Sequence, residues 1–274
     1  MSFRREWLER APYRELHAQL NRAVRELHDW PASHEYDQLA RSVPQPAGVE
    51  LPRFVEQTQA ALQQAGGYEQ HVARLRRVPT RPGSWHDFFN MVVWAHFPRT
   101  RWALNALHVD PEAYPIDPRN GRAPSQNLAA SFDESGLLVV STSRSLLADL
   151  QALRFKRAFW QRRDELLRST RFFVTGHGLL EALLTPLPGM VGRAILLHRS
   201  SLPPAGDDEL RCELDAWAAE RVASFRHVRH VLDPIPVLAI PGWADNDAAS
   251  FYDERQNLRF EPISRRTHGD FDEP

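Results

Sequence analysis

Cysteine is nearly absent from this chain of 274 residues, where Cys212 stands alone. A single thiol excludes an intramolecular disulfide and any cluster of zinc-bound thiolates, and it fits a reducing compartment. Lysine is equally scarce: Lys156 is the only one among 34 basic residues, a bias toward arginine that reflects genomic base composition more readily than function. Neither sign of charge is in excess. With 34 basic against 35 acidic residues the formal net charge is −1, so no broad cationic surface faces phosphate backbones, and nucleic acid is not the expected partner. Long apolar runs are missing too, and the start, MSFRREWLERAPYRELH, is charged throughout, which predicts neither a membrane span nor a secretory signal. What these absences leave is a globular cytoplasmic chain whose partner is a small molecule or a protein.

The apolar spacing then sets the elements. Leu16, Leu20, Val24 and Leu27 share a helical stripe that stops at Trp30-Pro31, and a second helical segment through Phe54, Val55 and Leu62 stops at Gly66-Gly67. A short helix over 68–77 follows. The loop VDPEAYPIDPRNGRAP, 109–124, is too rich in breakers for regular structure. Beyond it LAASFDESGLLVVSTS predicts a hairpin, with Asp133 and Glu134 at its tip and Gly136 in the left-handed position. Residues 146–167 read as one helix, RFFVT and RAILLH as strands, and GHGLLEALLTP as a helix closed near Pro186. A last helix from Asp207 to about Leu232, with Phe225 and Val228 turned inward, precedes a strand and turn in IPVLAIPGW. The predicted class is α+β: a mainly helical single domain with a small, largely antiparallel sheet and a helical N-terminal region.

One segment, RPGSWHDFFNMVVWAHFPRT, mixes His86, Asp87, Asn90 and His96 with large apolar groups. Ser84 and Asp87 stand as helix cap and reciprocal acidic partner. On the helix that they start, His86 and Asn90 lie one turn apart on the same face, and Pro98 kinks or restarts it before Arg101, Asn105 and His108. A helix apolar nearly all round is buried, so its polar groups need partners or a cleft. In TGHGLLE a strand, a tight turn and a helix place His177 at a helix start, where the dipole disfavours the imidazolium, and Glu181 follows one turn later. The glycines around His177 are too few for a nucleotide fingerprint and suit close packing.

These segments, together with FDESGLLVV, FVTGHGLLEALLTP and IPGWADNDAASFYD, resemble a proteobacterial family called domain of unknown function 3025. The resemblance spans roughly residues 68–253, leaving 1–67 as a helical extension and 254–274 as a tail. It implies a cytoplasmic bacterial protein of one domain and implies no reaction or cofactor.

Two readings stay open at this level. In the first, His86, Asn90, Asp133, His177 and Glu181 line one catalytic cleft, and His86, His177, Asp133 and Glu181 hold a divalent metal for hydrolysis or do acid–base work without one. In the second the chain is a non-catalytic scaffold or interaction module whose polar motifs fasten loops.

Overall fold

The computed structural model of the chain describes residues 3–14, 16, 18–203, 208–227 and 232–258. At its centre the apolar run after Gly83 forms the helix Trp85–His96, capped by Ser84 Oγ, which accepts from Asp87 N at 3.2 Å. Asp87 through His96 are all buried, as a helix apolar on every side requires. Phe97 breaks the helix at φ −132°, and Pro98 opens the next one, Pro98–His108, at the position where a missing N–H costs nothing. Its free amides are capped from another element. Asp215, on the helix Asp208–Ala223, accepts from Arg99 N at 3.0 Å and Thr100 N at 2.9 Å.

Aromatic rings join the N-terminal segment to this centre. Trp7 and Tyr13 lie 5.2 and 5.7 Å from Phe89, ring centre to ring centre, and Phe3 stacks on Trp85. The Tyr13 hydroxyl donates to Leu180 O at 2.7 Å. Helices Ala18–Glu26 and Ser33–Arg41 bury Leu20, Val24, Tyr36 and Leu39 into the same hydrophobic cluster.

Two sheets form. In the smaller, β1 (Arg53–Glu56) runs parallel to β2 (Arg77–Thr80), pairing Phe54 with Val78. Phe54 and Val55 therefore lie in a strand and not in the predicted helix, which begins only after the Thr58 cap and spans Gln59–Ala65. The larger sheet has the order β4-β3-β5-β6, with β3 Gly136–Ser141, β4 Thr170–Val174, β5 Val191–His198 and β6 Asp233–Pro236. The β3–β4 and β5–β6 ladders are antiparallel while β3–β5 is parallel, so the sheet is mixed. Every residue of β3 is buried, consistent with an inner strand written as an unbroken LLVV run.

The predicted hairpin is corrected. The stretch before β3 is the helix Pro124–Ser135, started by Pro124 at its first position, and it runs directly into the strand with Gly136 extended at φ −62°. Its inward residues Ala129, Phe132 and Asp133 recur at helical intervals, a period that the turn-like Asp-Glu-Ser-Gly concealed. Likewise 146–167 is not one helix: Arg144–Gln151 ends before Leu153 at φ 61°, and Lys156–Gln161 and Arg163–Ser169 follow. Asp149 gathers Arg154, Arg157 and Arg162 at 3.1, 3.2 and 2.7 Å around that break. Phe225 is buried as expected, whereas Val228 and the expected end of the last helix fall outside the described residues, as does the tail from 259. Among the described residues no helix is long and apolar enough to cross a membrane.

Candidate metal centre

Three helix ends meet beside the start of β3. The first turn of Trp85–His96 brings His86, the last turn of Pro124–Ser135 brings Asp133 and Glu134, and the short helix His177–Ala182 brings His177 at its start and Glu181 one turn later. The approach depends on the glycines of TGHG. A Cβ on Gly176 would overlap the backbone of Glu134–Gly136, and one on Gly178 would overlap the Glu134 carboxylate. Thr175 N and Gly176 N both donate to Gly136 O, at 3.0 and 2.9 Å, which pins the turn to the head of β3.

The two imidazoles meet edge to face, with Nε2 of His177 2.9 Å from Nε2 of His86. Nitrogens at that distance share either one proton or one cation. Glu134 Oε1 lies 3.6 Å from His177 Nε2 and 4.0 Å from His86 Nε2. The nearest point equidistant from these three atoms lies in their plane, about 2.1 Å from each, within the usual length of a zinc–imidazole or zinc–carboxylate bond.

Behind each ring stands a second carboxylate. His86 Nδ1 is 3.0 Å from Glu181 Oε2, and His177 Nδ1 is 3.6 Å from Asp133 Oδ1. With its Nδ1–H turned to Glu181, His86 offers a lone pair from Nε2, the arrangement in which metal-bound histidines are usually held. Burial of His177, with Arg101 nearby, pushes its pKa from the ordinary value down to about 3. The neutral ring that the helix dipole suggested is thus present, and burial is its main cause.

A buried polar chain fixes these groups from below. Arg101 forms an ion pair with Asp133 and donates to Asn90 Oδ1 at 2.9 Å, while Asn90 Nδ2 donates to the Tyr68 hydroxyl at 2.8 Å. Burial lowers the Arg101 pKa and raises that of Tyr68. Asn105 turns aside to Glu69, 2.6 Å from its carboxylate. Glu69, His108 and Asp133 make a second grouping of possible ligands, but the guanidinium of Arg101 already supplies the positive charge there. Asp87 binds Arg81 through two bonds of 2.9 Å and is not the reciprocal partner of its own cap. Glu134 and Glu181 are therefore the carboxylates at the imidazoles with no arginine in ion-pair range among the described residues.

Of the residues singled out in the sequence, His86, His177 and Glu181 come together directly. Asp133 stands one layer back, behind His177. Asn90 spends its hydrogen bonds on Tyr68 and Arg101 and belongs to that chain. The residue left out was Glu134, since a hairpin tip gave it no direction; on a helix it follows Asp133 and points past Gly178. Asn246 of the PGWADNDAASFYD loop fastens the loop instead, donating to Leu238 O and Ile240 O at 2.8 and 2.7 Å.

The molecule is thus an α+β protein carrying a two-histidine, one-carboxylate cluster at a junction of helix ends. It belongs to the family described as protein of unknown function (DUF3025), whose model matches residues 52–262, and the matched region contains all the cluster residues. No curated protein and no solved structure matches the chain.

Proposed function

We propose that His86, His177 and Glu134 bind one divalent transition metal ion, and that the metal activates water for hydrolysis in a cytoplasmic bacterial enzyme. The observation that supports this reading most directly is that one position, in the plane of three ligand atoms of the right types, lies at bonding distance from all of them. Two further features agree with it. Each histidine has a carboxylate on the Nδ1 side, and the Glu134 side chain is 53% exposed, so the ligand triangle opens toward solvent where water and substrate would enter. Two carboxylates, Glu134 and Glu181, beside the pair of imidazoles also match the charge of a divalent ion. A bound metal lowers the pKa of its water to about 7 and so supplies hydroxide at neutral pH. Glu181 holds the His86 ring, and Asp133 stands behind the His177 ring with Arg101 and Asn90 behind it.

Metal analysis of protein purified without a histidine tag tests this. About one equivalent of zinc, manganese or iron, lost in His86→Ala and His177→Ala variants that still fold, is the expected result. Absence of metal, together with no thermal shift on adding any of these ions, removes the reading. The alternative, a non-catalytic scaffold, is favoured by one observation: Tyr68, Asn90, Arg101 and Asp133 form a largely buried polar chain that links four helices. In that case truncation of His86 and His177 unfolds the protein and no ion binds.

A further inference from the structure

Away from the metal centre, a pocket of about 550 Å³ opens at the head of the small parallel sheet. Four arginines line it, Arg41, Arg53, Arg76 and Arg77, against one acidic residue, Glu50. In a chain of net charge −1 this is a strong local excess. Arg53 and Arg77 are register partners at the first rung of the β1–β2 ladder, which sets their backbones one strand spacing apart. Alternation turns both away from the buried Phe54 and Val78. Neither has a carboxylate within ion-pair distance among the described residues. Arg41 is answered by Asp37 at 3.0 Å, and Arg76 reaches Glu50 only at 3.9 Å.

The backbone is bent to present these groups. Arg76 closes the helix Tyr68–Leu75 in the left-handed conformation, φ 53° and ψ 38°, a position usually given to glycine. A long cationic side chain there is a departure that a ligand would explain. Its guanidinium is already held 4.1 Å above the ring of Trp102, whose Nε1 donates to Glu50 O at 3.0 Å. Asp37 also accepts from Phe54 N at 3.0 Å, tying the Arg41 side of the pocket to β1.

We propose that this pocket binds a small ligand carrying two or more linked phosphate groups. Guanidinium forks match phosphate oxygens in pairs, and adjacent unpaired arginines repel each other until an anion lies between them. The volume exceeds the needs of one phosphate, and Leu51 and Leu75 give an apolar wall against which an organic portion can rest.

Calorimetry at low ionic strength with pyrophosphate, ADP, orthophosphate and AMP tests the site. Measurements are made on the full chain and on His86→Ala/His177→Ala protein, in chelator, so that binding through the metal centre does not contribute. Pyrophosphate and ADP are expected to bind both proteins, orthophosphate and AMP more weakly. The Arg53→Gln/Arg77→Gln variant, whose altered side chains are exposed, keeps its unfolding midpoint and loses about tenfold or more in affinity. No binding of pyrophosphate or ADP, or equal binding by the arginine variant, overturns the proposal. So does a short single-stranded oligonucleotide that displaces pyrophosphate at lower concentration, which would make the pocket part of a nucleic-acid track.

Discussion

His86 and His177 approach Nε2 to Nε2 at 2.9 Å; Nδ1 of His86 is 3.0 Å from Glu181 Oε2, while Nδ1 of His177 stands 3.6 Å from Asp133 Oδ1, beyond hydrogen-bond reach. In the proposed metal centre both Nε2 atoms face one place, in front of Glu134. Replacing Glu134 by Gln keeps the shape of the side chain and removes its charge. Metal affinity is expected to fall about 10–100-fold, while the metal-free protein keeps its unfolding midpoint because this side chain is half exposed. Unchanged affinity would take Glu134 out of the ligand set.

The depressed pKa of His177 makes the metal-free protein sensitive to acid. In the unfolded chain the imidazole takes up a proton near its ordinary pKa of about 6.5, whereas in the fold it does so only near about 3. Between these values the unfolded state binds more protons, so stability falls as pH falls through that window, by up to about 4–5 kcal/mol. Urea titrations of chelator-treated protein across this range should show the slope, and His177→Gln should lose one proton's worth of it. Parallel curves for the two proteins would contradict the assignment.

Legibility from sequence followed the strength of local periodicity. The helix Trp85–His96 was readable because an apolar run with a Ser84 cap admits little else, and β3 because four consecutive aliphatic residues suit an inner strand. The helix before β3 was lost because Asp-Glu-Ser-Gly has turn chemistry, and tertiary contacts, among them the 175–178 turn packed on Glu134–Gly136, hold it as a helix end. The same error hid Glu134. His86, His177 and Glu181 were found because each sits one turn or less from a recognisable helix start, where direction is fixed. The Arg101–Asp133 pair was not, since it joins positions on two helices whose relative placement no local pattern encodes. Arg53 and Arg77 were missed for a similar reason: parallel pairing brings them together across an intervening helix pair.

Gly178 tests whether the junction of helix ends is the cause of the site. An added methyl would overlap the Glu134 carboxylate and press on its backbone oxygen. Overpacking of this kind costs about 1–3 kcal/mol. Gly178→Ala should therefore lower the unfolding midpoint and weaken metal binding together, even though the residue offers no ligand atom. A variant that is less stable but binds metal as before would show that the carboxylate can move aside without consequence.

Asp215 provides a test of the fold far from the imidazoles. Its side chain is fully buried and accepts from Arg99 N, Thr100 N and Thr100 Oγ1, at 3.0, 2.9 and 2.9 Å. It thus caps the helix that carries Arg101, using a carboxylate from the neighbouring helix. Asp215→Ala strands the amides of Arg99 and Thr100, while the Thr100 hydroxyl keeps the backbone oxygen of residue 215, and should cost about 2–3 kcal/mol. Burial raises the Asp215 pKa above the ordinary carboxylate value of 3.8, in spite of these donors. A raised pKa means that the folded state holds the proton longer than the unfolded one. The contribution is then fully present below the unfolded carboxylate's pKa and is partly lost as pH rises through the folded pKa. The stability gap between the parent protein and Asp215→Ala should therefore narrow with rising pH across the acid range. Chemical unfolding of both proteins over that range measures it, and a gap that widens with pH would mean that the donors outweigh the burial of the charge.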